Sequence, residues 1–255
     1  LAGLLTNFLA EKGGEIAARL VDALGLAKAA PSSEDYSRID QALDDIDFYD
    51  GWDDIRQPVE NILAGVSVQA SKDAVSEFGL FDPDLIDRVG ATARGIAKDT
   101  AAEMVGMTRH GELLLPNPNP EWSIPQATRD MIREAVTKAW ADGTTAPQLA
   151  AIVRGNHAFS PVRARTIART EFRFVGTKAR IAGWKAGGLV AGKKWVTHPG
   201  CCDPCHHING QIVGLDDQFS VGVDPPLHPN CLCNVSPVLP EEMPDRLKTH
   251  EETHP

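Results

Sequence analysis

All five cysteines of the 255-residue chain fall in two short stretches near its end. The first, Cys201-Cys202-Asp203-Pro204-Cys205-His206-His207, contains a C-x-x-C formed by Cys202 and Cys205. The second, His228-Pro229-Asn230-Cys231-Leu232-Cys233, reads H-x-x-C-x-C. Two compact clusters of soft ligands separated by a loop are the sequence outline of a closed tetrahedral zinc site. A two-residue gap lets two thiolates face one ion from a single turn, and the second cluster supplies the other half of the tetrahedron. The candidate ligands are Cys202, Cys205, His228, Cys231 and Cys233, five donors for four places. Cys202, Cys205 and Cys231 lead, with His228 or Cys233 as the fourth. Cys201 must point away from its neighbour, and His206 and His207 read as solvated loop residues.

Other chemistry fits these residues less well. Two disulfides plus one free thiol would need an oxidising compartment, yet residues 1–30 carry no secretory signal and an odd cysteine count suits pairing poorly. Free buried thiols would not gather every cysteine into one short segment. A zinc-supported nuclease of the His-Asn-His type would place its histidines in a hairpin and helix between the cysteine pairs. Here His206 and His207 abut Cys205, and four soft ligands leave no open position for an activated water. Glu171 lacks a second carboxylate at the spacing general acid–base work requires. A free zinc-binding DNA module is disfavoured by the net charge and by the lack of a recognition helix with base-reading residues.

The formal charge of −10 argues against a general nucleic-acid coat, but its distribution says more. Residues 1–125 hold most of the acid, including Asp44, Asp45, Asp47, Asp50, Asp53 and Asp54. Residues 126–198 are basic, and the tail after Pro240 is acidic again. Such a chain suits a charged partner, or packing against itself. On the helix expected after Ser160-Pro161, the residues Arg163, Arg165, Arg169, Arg173, Lys178 and Arg180 are candidates for contact with DNA or a protein partner. Basic groups that neutralise phosphates give salt-dependent, sequence-blind binding. The same helix reads equally well as a solvated face with ion pairs to the acidic half.

The elements that must position these residues are mostly helical. An apolar fraction of 42% supports a core, in one large domain or two. No run of about 18 apolar residues is present, so no membrane-spanning helix is expected. The chain begins at Leu1 rather than Met, which suggests that residues upstream were removed or lie in a longer polypeptide. Residues 1–26 read as one amphipathic helix or two short ones, weakened at Gly13-Gly14. A second helix, capped by Ser32 or Ser33 with Glu34 and Asp35 at its positive end, runs to about Phe48. A third covers 53–70, with a break or new start forced by Pro58. A fourth starts at Asp82-Pro83 and runs to about Met107. Its Gly90 and Gly95 suggest either close approach of another helix or a tolerated cost of ~1 kcal/mol each.

Pro116, Pro118, Pro120 and Pro125 mark a semi-rigid linker. Ser123 or Pro125 then opens a helix through Met131, Ile132, Val136 and Trp140 that Gly143 stops. A short helix follows from Thr145 to Gly155, and a long one from Ser160-Pro161 to about Lys185. Short strands are expected at 194–197, at 211–213 after the Asn209-Gly210 turn, and at 234–239. That sheet is too poor in apolar residues to stand alone, so a structural ion would supply folding energy. The expected fold class is mainly α with a small α+β C-terminal part. It comprises an acidic helical arm (1–115), a Pro-rich linker (116–125), a helical domain with a short zinc-stapled β-sheet (126–240) and an acidic flexible tail (241–255).

Taken in order, the motifs of residues 126–239 resemble the conserved domain of the phage Mu F-type minor head proteins, the phage head morphogenesis domains. The residues that carry the likeness are Thr128-Arg129-Asp130-Met131-Ile132-Arg133, Gln148-Leu149 leading to Ile152, and the run from Ala164 to Thr170-Glu171. Gly192-Lys193-Lys194-Trp195, Cys202-x-x-Cys205, Asn209-Gly210 and the run from Pro225 to Cys233 complete it. Leu232 stands where the family usually has Arg, and Phe172-Arg173-Phe174 is bulkier than the family's small residues. The resemblance implies a low-copy structural protein of a tailed-phage head, without catalysis. It would associate with the portal protein during prohead assembly, beside major capsid or scaffold proteins, and in some systems touch packaged DNA. Its place would be the virion at the portal vertex, and the host cytoplasm during assembly. By position, residues 1–115 resemble the variable region that often docks the portal.

Overall fold

The computed structural model describes residues 1–24, 33–111, 113–120 and 123–247. The helices α1 (Ala2–Leu24), α2 (Ser33–Asp44), α3 (Trp52–Ser76) and α4 (Pro83–Met104) come first. A hairpin of β1 (Met107–His110) and β2 (Leu113–Pro116) follows, then α5 (Ile124–Ala141), α6 (Ala146–Arg154) and α7 (Pro161–Gly187). The chain continues through β3 (Gly192–Val196), the one-turn helix α8 (Asp203–His207), β4 (Ile212–Gly214) and β5 (Asn234–Val238). The fold is mostly helical with a small antiparallel sheet near the C-terminal end, as the sequence indicates. By contact the chain divides into two interleaved units, Leu1–Val59 with Ala101–Ala168, and Glu60–Thr100 with Arg169–Pro255. Residues 116–125 fall inside the first.

In the first unit, α1 buries Leu5, Leu9, Ile16, Leu20 and Leu24 along one side and packs on α6, α2 and the 3-10 turn His157–Phe159. It is one unbroken helix. Gly13 is where the Phe159 ring seats: a Cβ there would lie 2.7 Å from its Cγ. Pro58 does not break α3 either. An interior proline costs about 3 kcal/mol through its missing N–H and a clash with the preceding turn, but Trp52, Ile55 and Val59 are buried around it and hold the helix. The expected cap of α2 and the acidic side chains of its first turn lie outside the described residues, as do the Trp140 side chain and the end of the tail.

Helix α4 stops at Met104, earlier than its periodicity suggests, because Gly106 turns the chain at φ +80° and leaves room for the Tyr49 ring. The start of the expected proline-rich extended stretch is instead strand β2, paired in register from Met107↔Pro116 to His110↔Leu113. Ser123 caps α5 by accepting the Gln126 N–H at 3.3 Å, and Gly143 follows the helix at φ +65°.

Part of the charge segregation is internal to this unit. Arg133 on α5 donates to both oxygens of Asp40 on α2, at 2.7 and 3.0 Å, and Arg129 pairs with Asp44. The hydrogen bond from Arg133 holds the Asp40 carboxyl below the usual carboxylate range. Because the folded value is the lower one, the pair's contribution is present above the unfolded value and is lost as pH falls through the folded one. Asp40→Asn is therefore expected to lower the denaturation midpoint at neutral pH, with the gap to wild type closing as pH falls through and below the ordinary carboxylate range. A gap that stays constant over that range would contradict the assignment.

In the second unit, Asp82 caps α4 by accepting the Asp84 N–H at 3.1 Å, and Ser67 on α3 donates to the Ala93 carbonyl of α4 at 2.8 Å. Strand β3 is central in a three-stranded antiparallel sheet of order β4-β3-β5, with Trp195 opposite Val235 and Lys193 between Val213 and Pro237. This sheet has more apolar support than its own residues supply. Trp195, Val213, Phe219 and Val235 join Ile181 and Trp184 of α7, Ala74 of α3 and the buried cysteines in one core. Trp195 and Phe219 meet edge to face at 5.1 Å.

The close helix approach in this unit is at Gly183, not at Gly90 or Gly95. A Cβ on Gly183 would lie 2.8 Å from the Ser71 carbonyl oxygen and 2.9 Å from the Ala74 Cβ, whereas one on Gly95 would meet nothing within 4 Å. Gly95→Ala is expected to raise the unfolding free energy by about 0.5–1 kcal/mol through helix propensity. Gly183→Ala should lower it by roughly 1–3 kcal/mol, because overpacking outweighs the same gain. Denaturant titration of the two variants should give opposite signs; matching signs would refute the contact.

Candidate metal centre

The first cysteine stretch folds as a single helical turn. Cys202 is the residue before α8, Pro204 lies in its first turn, and the His206 N–H donates to the Cys202 carbonyl at 2.9 Å. That turn places Cys205 inward, fully buried, with Cys202 exposed above it. The second stretch enters from residues 215–227. There the Lys193 ammonium, almost wholly buried on β3, pairs with Asp224 at 2.7 Å, and the Pro225–Pro226 peptide is cis. After His228 the chain turns at Asn230, φ +60°, a conformation asparagine tolerates better than most side chains. The Cys231 N–H donates to the His228 carbonyl at 3.0 Å, and Cys233 leads directly into β5.

The structure brings the two stretches together. Cys202, Cys205 and His228 form one triad and Cys205, Cys231 and Cys233 another, the donor atoms of each lying within 4.8 Å of one another. Cys205 belongs to both. His228 Nε2 is 3.2 Å from Cys202 Sγ and 3.5 Å from Cys205 Sγ, and Cys205 Sγ is 3.8 Å from Cys231 Sγ. An ion ~2.3 Å from sulfur and ~2.0 Å from nitrogen in a regular tetrahedron separates two sulfurs by roughly 3.8 Å and a sulfur from a nitrogen by roughly 3.5 Å. The observed separations match such edges, but among the described residues no four of these donors lie mutually within 4.8 Å; the structure shows two overlapping three-donor groups that could hold a metal ion. The histidine is oriented for it: Nδ1 lies 2.9 Å from the Pro229 carbonyl oxygen, which makes Nδ1 the proton donor and leaves the Nε2 lone pair facing the sulfurs.

Without a cation the buried thiols differ in how readily they ionise. Burial pushes the Cys205 thiol far up, and its three cysteine neighbours push the same way. Burial also raises Cys233. At Cys231 burial acts in the same direction, but backbone hydrogen bonds from Leu227 and Cys233 outweigh it and the thiol is lowered. A cluster of buried thiols resists becoming thiolates beside one another, and a bound cation reverses that preference. All five cysteines are free thiols. Cys201 lies outside both triads, half-buried against the apolar core. His206 and His207 are exposed on α8.

The basic candidates on α7 fall into different environments. Arg163 is a correction: it is buried, its guanidinium donating to Thr128 Oγ1 at 2.8 Å and to the Ala158 and Ile124 carbonyls at 2.7 and 3.3 Å. Burial lowers its pKa to about 10, and it ties α7 to α5 rather than meeting a partner. Arg165 is exposed, Lys178 lies over the Phe174 ring at 4.0 Å and Arg180 is half-buried. Arg169 and Arg173 face the second cysteine stretch, with Arg169 Nη1 3.5 Å from Asn230 Oδ1 and Arg173 Nη1 donating to the Leu232 carbonyl at 3.2 Å. Thr170, Lys193 and Asp224 were not legible as site residues. The Pro229-Asn230 turn signature was the one available hint that the backbone beside Cys231 needs support.

Together these features define a mainly helical protein with a small sheet and a soft-donor knot that could bind a metal. Within it, residues 130–236 match the family model described as Phage Mu protein F like protein. The match covers less than half of the chain. No curated protein and no solved structure matches it. No described helix is long and apolar enough to cross a membrane.

Removing the donor common to both triads should have a local result. Cys205→Ser is expected to lower amide-exchange protection across 192–238 by ~100-fold or more, the scale of a few kcal/mol of structural-metal binding energy. Protection in α1 should be retained. Unchanged protection over 192–238 would contradict a fastening role for the cluster.

Proposed function

We propose that the protein is a minor head-morphogenesis protein of a tailed phage that acts by positioning, without catalysis, at the portal vertex. The observation that carries this reading is the family match over 130–236, inside which both donor stretches fall. In this reading Zn2+ sits on Cys202, Cys205, His228 and Cys231. Those four follow one another at 3.2, 3.5 and 3.8 Å, and Cys233 is the spare donor. The ion acts structurally. It fixes the loops around β3 so that they present one surface to other head components.

Residues 1–115 serve as the docking region for the portal protein, with major capsid or scaffold proteins as further neighbours. Contact with packaged DNA would fall to the exposed Arg165, Arg169 and Lys178, not to the buried Arg163. The full chain, co-expressed with the portal protein of its own phage, is expected to co-purify with the portal ring, carry about one zinc per chain and leave supercoiled DNA intact. A chain that nicks that DNA with zinc bound, and stops doing so on His206→Ala or His207→Ala, would replace this reading with an enzymatic one.

A further inference from the structure

Helix α7 reaches the backbone on both sides of Cys231. On the near side, Thr170 Oγ1 accepts the N–H of Asn230, the residue before the cysteine, at 3.1 Å. On the far side, Arg173 donates to the carbonyl of Leu232, the residue after it, at 3.2 Å. Thr170 and Arg173 are three apart, so they lie on one face of the helix one turn along. The segment they hold needs holding: Asn230 has φ +60°, which an L side chain adopts at a cost, and Leu232 is the single residue between two buried cysteines.

Charge points the same way. Three thiolates and one neutral imidazole around a divalent ion leave a net charge of −1, and the Arg173 guanidinium, half-buried beside the Cys231 loop, supplies a nearby positive charge. Hydrogen-bonding partners behind metal ligands set ligand orientation, and their loss commonly weakens metal binding 10–100-fold.

We infer that Thr170 and Arg173 are positioning residues for the metal: they hold the Asn230–Leu232 backbone so that Cys231 Sγ stands where the ion needs it, and Arg173 also balances the charge of the loaded site. The inference rests on the metal-binding reading above. It makes α7 a functional part of the centre although it contributes no ligand.

The test is Zn2+ affinity of the full-length chain, by competition with a chromophoric chelator, for wild type, Thr170→Val, Arg173→Met, Arg173→Lys and the exposed control Arg154→Met on α6. Thr170→Val and Arg173→Met are expected to weaken Zn2+ binding about 10–100-fold, with Arg154→Met within twofold of wild type. Arg173→Lys, which keeps a donor and the charge, should recover part of the loss. The thermal midpoints of the zinc-free forms should match one another, which separates positioning of the ion from a general loss of packing. Equal affinities across the set would overturn the inference and leave the metal site standing. Equal falls in the zinc-free midpoint and in affinity would also overturn it, as a merely structural role. A wild-type chain that binds no zinc would overturn both readings at once.

Discussion

The second unit is organised around one buried sulfur. Cys205 stands in both donor triads, 3.5 Å from the His228 ring nitrogen and 3.8 Å from Cys231 Sγ. It is reached from one side by a helical turn and from the other by a loop that begins more than twenty residues later in the chain. Without a cation Cys205 stays a neutral thiol, because burial and neighbouring thiols all oppose its ionisation. A divalent ion would draw on the same crowding, and each donor added would raise the affinity that holds the loops.

What surrounds the knot serves to place it. Strand β3 carries Trp195 into the core beneath the cysteines, and its Lys193 anchors the approach to His228 through Asp224. Helix α7 fills the other side with Trp184 and Ile181 and reaches the Cys231 loop through Thr170 and Arg173. The sheet is therefore not supported by an ion alone. It shares one apolar core with α7 and α3, and the metal would act at the polar margin of that core, where short loops have least to pack against.

Local chemistry was the legible part of the sequence. The caps at Asp82, Ser123 and Ser160 each accept a backbone N–H as their side chains allow, and the two cysteine stretches lie together. Long-range packing was not legible. Pro58 signals a break unless the burial of Trp52, Ile55 and Val59 around it is known. Gly13 looks like a weak point, and only the Phe159 ring shows that it is a contact point; the contact of Gly183 with the Ser71 carbonyl has no signal in the sequence. Arg163 reads as one more basic residue of a stripe, because nothing local announces that Thr128 and two carbonyls enclose it. The β1–β2 hairpin was hidden for a related reason: its turn is marked by Gly111, but the prolines that follow argue for an extended linker.

The central claim is that a single ion is clamped by donors from both cysteine stretches. X-ray absorption at the zinc K-edge of the purified full-length chain tests it most directly. The predicted result is a four-coordinate shell of three sulfurs at about 2.3 Å and one nitrogen at about 2.0 Å. A zinc shell of oxygens and nitrogens without sulfur, or a zinc-free protein whose sulfurs show a sulfur–sulfur neighbour near about 2.05 Å, would contradict it.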